Sequence, residues 1–191
     1  GKLVTDIILT RDTVREDEEG IFLDVHPDSW EAKLEDIFTI RSPLKDKRRR
    51  YTCRELKFDW ENQIPDGYSI HRTDKKLLEK LGLKIPDHVP YWMKTNWGSI
   101  DDFMQKGFGF CMLHGDEIVS WCLADCVSGD SCEVGIHTAE NYRRRGLATL
   151  TVAATVDYCL SRGFTSVGLH CSVDNIGSWK TAEKVGFEKT R

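Results

Sequence analysis

The segment at residues 133–149 constrains the fold of this chain more than any other. An apolar strand pattern is followed by a short loop that carries three consecutive arginines to Gly146, and an amphipathic helix begins directly after it. The first N–H groups of a helix have no acceptor within the helix and lie at the positive end of its dipole. Glycine lets an anion approach the backbone closely. The pattern therefore predicts a pyrophosphate-binding turn between a strand and a buried helix.

This loop differs from two familiar phosphate-binding loops. Gly146 is not followed by Gly-Lys-Ser/Thr, as in a P-loop, and the segment does not have the GxGxxG spacing of dinucleotide-binding turns. Its form is Arg-x-x-Gly-x-Ala, from Arg143 to Ala148. Taken alone, this form also fits an ordinary turn with a solvated arginine cluster. The sequence after residue 149 is needed to distinguish that turn from a phosphate-binding one.

A second motif supports the first. Asn175 and Ser178 follow a predicted strand, and the helix that they begin ends in Glu-Lys-Val-Gly-Phe at residues 183–187. The two motifs, in this order and with a strand between them, resemble the GNAT acyltransferase superfamily. Five further segments resemble the GNAT subgroup that includes zwittermicin A resistance-type acetyltransferases: residues 107–111, 118–122, 133–136, 146–149 and 157–160.

The order of predicted elements agrees with this resemblance. From Tyr68 onward we predict a strand, two short helices, three antiparallel strands, a helix over residues 146–162, a strand over residues 167–173 and a last helix. This is an α+β chain with a central mixed, mostly antiparallel sheet flanked by helices, as in the GNAT (acyl-CoA N-acyltransferase) fold. We assign residues 1–64 to an N-terminal extension or partial subdomain and residues 65–191 to the GNAT core.

Several local expectations can be compared directly with a structure. The basic run at residues 45–50 is predicted to be a solvated turn before a strand over residues 51–60, with an anion-binding role as the alternative. Residues 86–98 are predicted to form an aromatic-rich loop, and Leu81 is expected to face inward from a helix that Asp74 begins. Nearer the N-terminus we expect strands over residues 6–10 and 21–25 and a helix start at Asp28.

Composition excludes some classes of function. The chain has 191 residues, 40% of them hydrophobic, which is enough for one globular core, and its net charge of -4 does not favour a nucleic-acid partner. No apolar run approaches the roughly 20 residues that span a bilayer, so we expect no membrane partner and a cytoplasmic location. The seven cysteines include no CxxC pair and favour buried free thiols. A zinc site with Cys122, Cys126, Cys132 and a histidine is the alternative, and we assign no metal ligand.

The resemblance implies acetyl-CoA (coenzyme A) as the cofactor. In the family the pantetheine arm pairs with a strand edge, and the next strand diverges from that edge around the acyl group. Arginine suits the diphosphate by geometry as well as by charge. The resemblance assigns cofactor binding to Ile136, His137, Thr138, Arg143, Arg144, Arg145, Gly146, Leu147, Ala148, Asn175 and Ser178.

The chemistry of acyl transfer suggests the catalytic candidates. An alkyl ammonium group has a pKa of about 10 and must lose a proton before it can attack. Glu133, near the place where family members often carry a catalytic glutamate, is our first candidate for the base, and His137 is the second. Both lie on one face of the strand unless a bulge intervenes. A surface ion pair for Glu133 and a packing role for His137 are the alternatives. Ala182 stands where many family members place a tyrosine that protonates the leaving thiolate.

We therefore predict an N-acetyltransferase that acts on the amine of a small molecule. Tyr91, Trp92 and Trp97 are the predicted acceptor-binding residues, as an apolar or cation-binding wall, and simple packing is their alternative role. A non-catalytic GNAT-like module that binds acyl-CoA or docks a partner is a second interpretation, and acetylation of a protein is a third. We assign no catalytic role to the adjacent His170 and Cys171, because their strand is predicted to be buried and a cysteine nucleophile needs an exposed site. The sequence leaves a homodimer open.

Overall fold

The computed structural model describes residues 33–37 and 47–190. The chain divides into two compact units, Gly1–Asp46 and Lys47–Arg191. In the first unit the structure describes one helical turn, α1 (Leu34–Ile37). The strands expected over residues 6–10 and 21–25 and the helix start at Asp28 lie outside the described residues.

The described part of the second unit forms one sheet with helices around it. Its elements in chain order are β1 (Arg48–Cys53), β2 (Tyr68–Arg72), α2 (Lys75–Leu78), α3 (His88–Trp97), α4 (Ile100–Lys106), β3 (Gly109–His114), β4 (Glu117–Ser128), β5 (Ser131–Thr138), α5 (Leu147–Ser161), β6 (Ser166–Ser172), α6 (Ile176–Val185) and β7 (Glu188–Lys189). The strand order is β2-β3-β4-β5-β6-β1-β7. Strands β5 and β6 are parallel, and the other neighbouring pairs are antiparallel. The predicted α+β class with a mixed, mostly antiparallel sheet is confirmed.

The two faces of the sheet pack against different helices. Along β4 the side chains alternate between two clusters, as the period of a strand requires. Trp121 and Leu123 pack with α3 and α4, whereas Cys122 and Ala124 pack with α5 and α6. Each helix pair therefore covers one face, and the sheet between them contributes side chains to both cores.

Strands β5 and β6 separate part of the way along their length. Their parallel pairing covers three positions and ends where Glu133 lies opposite Gly168. Beyond that point β5 stays paired with β4, and β6 stays paired with β1. The facing edges of β5 and β6 therefore border a gap over residues 134–138 and 169–172, which we call the strand gap.

A bulge lies beside the strand gap. The register of β4 against β5 shifts between Ala124 and Cys126, so Asp125 is an extra residue on β4. Since the extra residue is on β4, strand β5 keeps its regular alternation. Glu133 and His137 consequently lie on the same face of the sheet, as the sequence predicts for a strand without a bulge of its own.

Residues 86–98 do not form the predicted loop, because residues 88–97 form helix α3. Pro90 is compatible with this helix because it lies in the first helical turn, where N–H groups have no acceptor within the helix. Val89 and Met93, four residues apart, are buried against the sheet. Gly98, at φ +83°, ends the helix. Three helices, not two, therefore separate β2 from β3.

Two further local predictions are wrong, one about the exposure of a side chain and one about secondary structure. Leu81 does not face inward, because it follows the end of α2 and is 98% exposed. The basic run is not entirely a turn, because residues 48–50 belong to β1 and pair with β6. The same pairing moves the predicted strand from residues 51–60 to residues 48–53. The division into an extension over residues 1–64 and a core over residues 65–191 stays a prediction.

The contact between α3 and β5 makes a testable prediction for stability. A Cβ atom on Gly135 would collide with Cζ2 of Trp92 and stand 2.8 Å from its Cε2 and 2.9 Å from Oδ1 of Asp125. Gly135→Ala should therefore lower the free energy of unfolding by about 1–3 kcal/mol, measured by urea denaturation. Gly177→Ala is the control, since its Cβ would meet only the Asn175 side chain at 3.8 Å. The control should be neutral or stabilising by up to about 1 kcal/mol, and equal losses in both variants would contradict this packing.

Candidate functional site

The start of helix α5 has the geometry of an anion-binding site. Gly146 caps the helix at φ +79°, and no side chain caps it by a hydrogen bond. The first backbone bond of the helix runs from the N–H of Leu150 to the carbonyl of Gly146. The preceding N–H groups of Leu147, Ala148 and Thr149 therefore have no acceptor within the helix. A Cβ on Gly146 would meet no atom within 4 Å, so open space lies in front of this turn.

The three arginines of the loop are exposed beside that space. Arg143 donates from Nε to the carbonyl of Thr138 at 3.1 Å, which ties the loop to the end of β5. Arg144 has a φ of +61°, a left-handed conformation that is uncommon for a residue with a side chain. The tight turn therefore brings cationic side chains and backbone N–H groups to the same end of α5.

Arg145 is held by a small aromatic cluster. Its guanidinium donates to the hydroxyl of Tyr68 at 3.3 Å and to the carbonyl of Asn141 at 3.0 Å. The same group lies 5.3 Å from the centre of the Tyr142 ring. An arginine fixed in this way is preorganised for a phosphate group and needs little ordering when one binds.

The end of β5 offers backbone groups to the strand gap. Consecutive N–H groups of a strand point to opposite edges, and β4 occupies one edge of β5 along Ile136 and His137. One of these two residues therefore directs its N–H toward the strand gap. The predicted cofactor positions Ile136, His137 and Thr138 thus lie along one border of the gap, and the start of α5 follows them in the chain.

Glu133 lies at the closed end of the strand gap, at the last paired position of β5 and β6. Its carboxylate contacts Nδ1 of His170, which lies on β6 two residues beyond the last paired position. Both side chains are half-buried. The adjacent Cys171 is buried on the opposite face, in the α5 and α6 core. The structure therefore pairs His170 with Glu133, a partner that the sequence analysis did not assign.

His137 lies in a cluster of aromatic rings under α3. The centre of its ring is 4.1 Å from that of His88 and 5.7 Å from that of Trp121. Burial, aided by the nearby His88 and Arg143, lowers the pKa of His137 from 6.5 to about 4. The imidazole is therefore neutral at physiological pH and can accept a hydrogen bond.

Glu133 and His137 occupy separate positions along the site. Four residues of strand span about 13 Å, so the two side chains do not reach the same proton directly. Glu133 lies at the closed end of the strand gap, and His137 lies further along its border. Both predicted catalytic candidates thus lie on one face of the sheet, but Glu133 contacts His170 and His137 contacts His88.

The predicted acceptor residues lie on α3 and differ in their contacts. Tyr91 is 42% exposed. The indole N–H of Trp92 donates to Oδ1 of Asp125 at 2.8 Å, and that of Trp97 donates to the carbonyl of Ala124 at 2.8 Å. Both indoles are half-buried. Tyr91 therefore has the largest accessible surface of the three, whereas the two tryptophans also fix α3 to the β4 bulge.

The second sequence motif forms the start and end of α6. The side chain of Asn175 accepts a hydrogen bond from the N–H of Ser178 at 3.2 Å and caps the helix. Gly186, at φ +115°, ends it. Ala182 is fully buried in the core, so this position brings no hydroxyl to the site. The cofactor contacts proposed for Asn175 and Ser178 stay predictions.

Sequence reasoning missed His88 and Asp125, and it gave His170 no role because the strand of this histidine was expected to be buried. His88 and Trp92 are four residues apart, a signal that becomes informative only when α3 is recognised as a helix. Asp125 and His170 carry no local signal, since a strand bulge and a contact between strands depend on the register of the sheet. In the described part of the chain, no group of three or more His, Cys, Asp or Glu side chains is placed so that it could hold a metal ion. Within residues 33–37 and 47–190, no helix is long and apolar enough to cross a membrane.

Comparison of the sequence with known families gives a match over nearly the whole chain. Residues 6–191 match the family model described as GNAT acetyltransferase. The uncharacterized N-acetyltransferase YdfB of Bacillus subtilis strain 168 is 28% identical over 162 residues, which are 84% of this chain and 59% of that protein. The uncharacterized N-acetyltransferase YjdG of the same organism is 35% identical over 156 residues, which are 78% of this chain and 83% of that protein. The chain therefore spans less than two thirds of YdfB.

Solved structures share the fold. A GCN5-related N-acetyltransferase-like protein from Streptococcus suis 89/1591 has a TM-score of 0.65 and 22% identity, covering 85% of this chain and 65% of that chain. The structure of AAC(6')-Iy in complex with the bisubstrate analog CoA-S-monomethyl-acetylneamine has a TM-score of 0.50 and 20% identity, covering 65% of this chain and 92% of that chain. At this level of identity the similarity shows the fold alone.

The low pKa of His137 predicts a pH-dependent contribution to stability. An unfolded histidine titrates at about 6.5, so between pH 6.5 and about 4 the unfolded chain binds the proton and the folded chain does not. The free energy of unfolding should therefore fall as the pH falls through this window. Urea denaturation at about pH 7 and about pH 4.5 should show a smaller fall for His137→Gln than for the native protein. Equal falls would contradict a neutral, desolvated His137.

Proposed function

The chain belongs to the GNAT acetyltransferase family, and we propose that it transfers the acetyl group of acetyl-CoA to the amine of a small molecule. The observation that carries this proposal is the strand gap beside the anion-binding start of α5. One extended ligand with a diphosphate group can contact both features, because β5 borders the gap and leads directly into the arginine loop. The described residues therefore fit acetyl-CoA, which supplies an activated acetyl thioester when it is bound.

The residues of the loop would hold the diphosphate. The N–H groups of Leu147 and Ala148 point out of the helix start, and the open space at Gly146 gives phosphate oxygens access to them. Arg143 and Arg145 are already oriented by backbone and tyrosine contacts. The AAC(6')-Iy complex, in which a CoA-containing analog is bound to the same fold, supports coenzyme A as the ligand.

Glu133 would remove the proton from the acceptor. Its carboxylate lies at the closed end of the strand gap, on the face covered by α3, and it can take a proton from the ammonium group directly or through water. His170 orients this carboxylate by its contact through Nδ1. His137, which is uncharged, would line the strand gap further along β5.

The backbone of β5 would stabilise charge on the acetyl carbonyl oxygen. The N–H that Ile136 or His137 directs into the strand gap is a fixed donor, and fixed donors at such a position supply much of the rate enhancement of acyl transfer. No side chain needs to protonate the leaving thiolate, because a thiolate leaves readily. Ala182 is therefore compatible with catalysis.

A small-molecule acceptor and the finer family placement are part of the same proposal. AAC(6')-Iy, bound to an acetylneamine-containing analog, supports a small amine as acceptor. The segments that resemble zwittermicin A resistance-type acetyltransferases support membership of that subgroup. The chain spans 59% of YdfB. In a protein of that length, residues outside the matched region could also contribute to the active site.

Ala182 favours a second candidate function, a non-catalytic GNAT-like module that binds acyl-CoA or docks a partner. The two functions differ in turnover. Release of free thiol from acetyl-CoA in the presence of a broad panel of amines supports the enzyme. Saturable binding of acetyl-CoA without turnover on any amine supports the module.

Cofactor binding predicts a specific effect of charge at the start of α5. Gly146→Asp would place a carboxylate where the diphosphate binds and should weaken acetyl-CoA binding by about tenfold or more in calorimetry. Gly163→Asp is the matched control, because Gly163 also has a positive φ and open space around its Cβ, but it follows the other end of α5. Equal affinity of the two variants would contradict the proposed diphosphate site.

The proposed base predicts a separation between catalysis and binding. Glu133→Gln keeps the size of the side chain and removes its basicity, so kcat should fall by about 10²–10⁴-fold. The dissociation constant of acetyl-CoA should not change. Glu117→Gln, at the β3–β4 hairpin, is the control and should keep full activity. Unchanged kcat in Glu133→Gln would remove this residue from the mechanism.

A further inference from the structure

The basic run at residues 45–50 takes no part in the function proposed above, although the structure brings half of it next to the candidate site. Residues 48–50 form the first half of β1, and all six residues of β1 pair in register with β6. Residues that are paired directly across two antiparallel strands project from the same face of the sheet. Any arginine on the α3 face of β1 is therefore a neighbour of the β6 side chains on that face.

The three arginines of β1 lie on two different faces, because side chains alternate along a strand. Tyr51 is buried in the core with α5 and α6. Arg49 shares the face of Tyr51, and its guanidinium lies 4.5 Å from the ring centre of Trp179 on α6. Arg48 and Arg50 consequently project from the opposite face, which is the face of the candidate site.

Arg48 and Arg50 continue the line of polar side chains that begins at Glu133. Arg50 lies opposite His170 in the register, and His170 contacts the carboxylate of Glu133. Three neighbouring strands thus contribute one row of Glu133, His170 and Arg50. Arg48 lies opposite Ser172, where β6 borders the strand gap. Two guanidinium groups therefore stand on the β6 side of the gap.

The carboxylates near this face have different positions and partners. Asp87 is exposed at the start of α3, and Asp125 accepts a hydrogen bond from an indole of α3. On the other side of the gap, Glu188 of β7 pairs with Lys57 at 3.7 Å, and Asp174 is exposed in the turn after β6. An acceptor whose amine points to Glu133 and α3, and whose anionic group points to β1, matches the charges on the two sides of the gap.

The chemistry of arginine suits the recognition of an anionic group. A guanidinium has five N–H donors and keeps its charge in proteins. It binds carboxylates and phosphates through two parallel hydrogen bonds. Arg48 and Arg50 also interact with other groups of the chain, and with five donors each such an interaction is compatible with a contact to an anion.

We propose that Arg48 and Arg50 form an anion subsite for the acceptor, and that the acceptor is a small molecule with both a primary amine and a carboxylate or phosphate group. The assignment rests on the acyl-transfer function proposed above. Neighbouring strands are about 4.8 Å apart, so β1 lies about 10 Å from β5 at the level of Glu133. Long arginine side chains reduce the span that the acceptor has to bridge. A polycation would be repelled by the two guanidinium groups, which disfavours its binding.

The first test compares matched acceptors with the native chain. Thiol release from acetyl-CoA is measured with tryptophan against tryptamine, lysine against cadaverine, and glucosamine 6-phosphate against glucosamine. We expect kcat/KM to be higher by about tenfold or more for the anion-bearing member of at least one pair, and the pair concerned distinguishes a carboxylate from a phosphate.

The outcomes of this comparison separate the subsite from the function. Turnover without a preference for the anion-bearing member of any pair would overturn the anion subsite and leave acyl transfer intact. Acetyl-CoA binding without turnover on any amine would overturn the proposed function and the subsite with it.

Neighbouring arginines on opposite faces provide a matched pair of variants. Arg50→Gln removes one guanidinium from the site and should raise KM for the preferred anion-bearing acceptor by about tenfold. KM for its partner without the anion and the dissociation constant of acetyl-CoA should not change, and Arg50→Lys should restore part of the loss. Arg49→Gln makes the same change on the α6 face and should alter neither KM. Equal KM values of Arg50→Gln and Arg49→Gln for the anion-bearing acceptor would overturn the assignment.

An exposed position gives a test that does not depend on packing. Arg48 is exposed, and Arg48→Glu reverses its charge. This variant should raise KM for the anion-bearing acceptor and lower KM for its partner without the anion. If Arg50→Gln does not fold, Arg48→Glu alone decides: unchanged KM values for both acceptors would overturn the subsite.

Discussion

The separation of β5 from β6 after three paired residues is the constraint from which the site follows. Both strands remain extended beyond Glu133 and Gly168, because each keeps its partner on the other edge. Backbone groups on the facing edges then need partners other than each other. An extended ligand that carries amide groups, such as the pantetheine arm, can supply them. The end of β5 leads directly into the arginine loop, so in the proposed site both the diphosphate and the thioester of acetyl-CoA would be positioned by the part of β5 that lies beyond this interruption of the sheet.

The contacts of α3 connect this interruption to the acceptor side. Asp125, the extra residue of β4, accepts the indole N–H of Trp92, and Trp92 in turn packs on Gly135. One turn earlier on α3, His88 is held by Trp121 and lies against His137. The bulge, the helix and the strand border are therefore mutually fixed. Rigid placement of this kind is what a site needs when its groups must meet a substrate within a fraction of an ångström.

The opposite face of β5 packs against helices α5 and α6. Cys132 and Val134 belong to the core with α5 and α6, and Sγ of Cys132 lies 3.6 Å from Sγ of Cys159 on α5. Side chains of β5 therefore alternate between a dry core and the candidate site. Helix α5 is largely buried against the sheet, so its exposed first turn is anchored by the rest of its length.

Local sequence signals predicted the parts of the fold that local chemistry determines. Asp74 and Asn175 cap helices where short polar side chains precede helical patterns, and Gly186 ends α6 at a positive φ. Strand β2 begins at Tyr68, as predicted. These features depend on residues a few positions apart, which the sequence displays directly.

Features that depend on distant pairing could not be predicted in the same way. Residues 48–50 form a strand because β6 is available beside them, although three arginines in succession resemble a solvated turn. The contact between Glu133 and His170 joins neighbouring parallel strands, and its partners are 37 positions apart. Helix α3 was missed because its aromatic-rich segment was predicted to be a loop. The resemblance to the family predicted the cofactor and the first candidate for the base, and the roles of individual residues at the site stay predictions.

The central claim is that acetyl-CoA lies along the end of β5 with its diphosphate at the start of α5. Titration of the isotope-labelled chain with acetyl-CoA, followed by amide chemical shifts, tests it most directly. The account predicts saturable shifts concentrated in residues 135–138, 146–149 and 169–171. Saturable shifts confined to other parts of the chain, or no shifts at all, would contradict it.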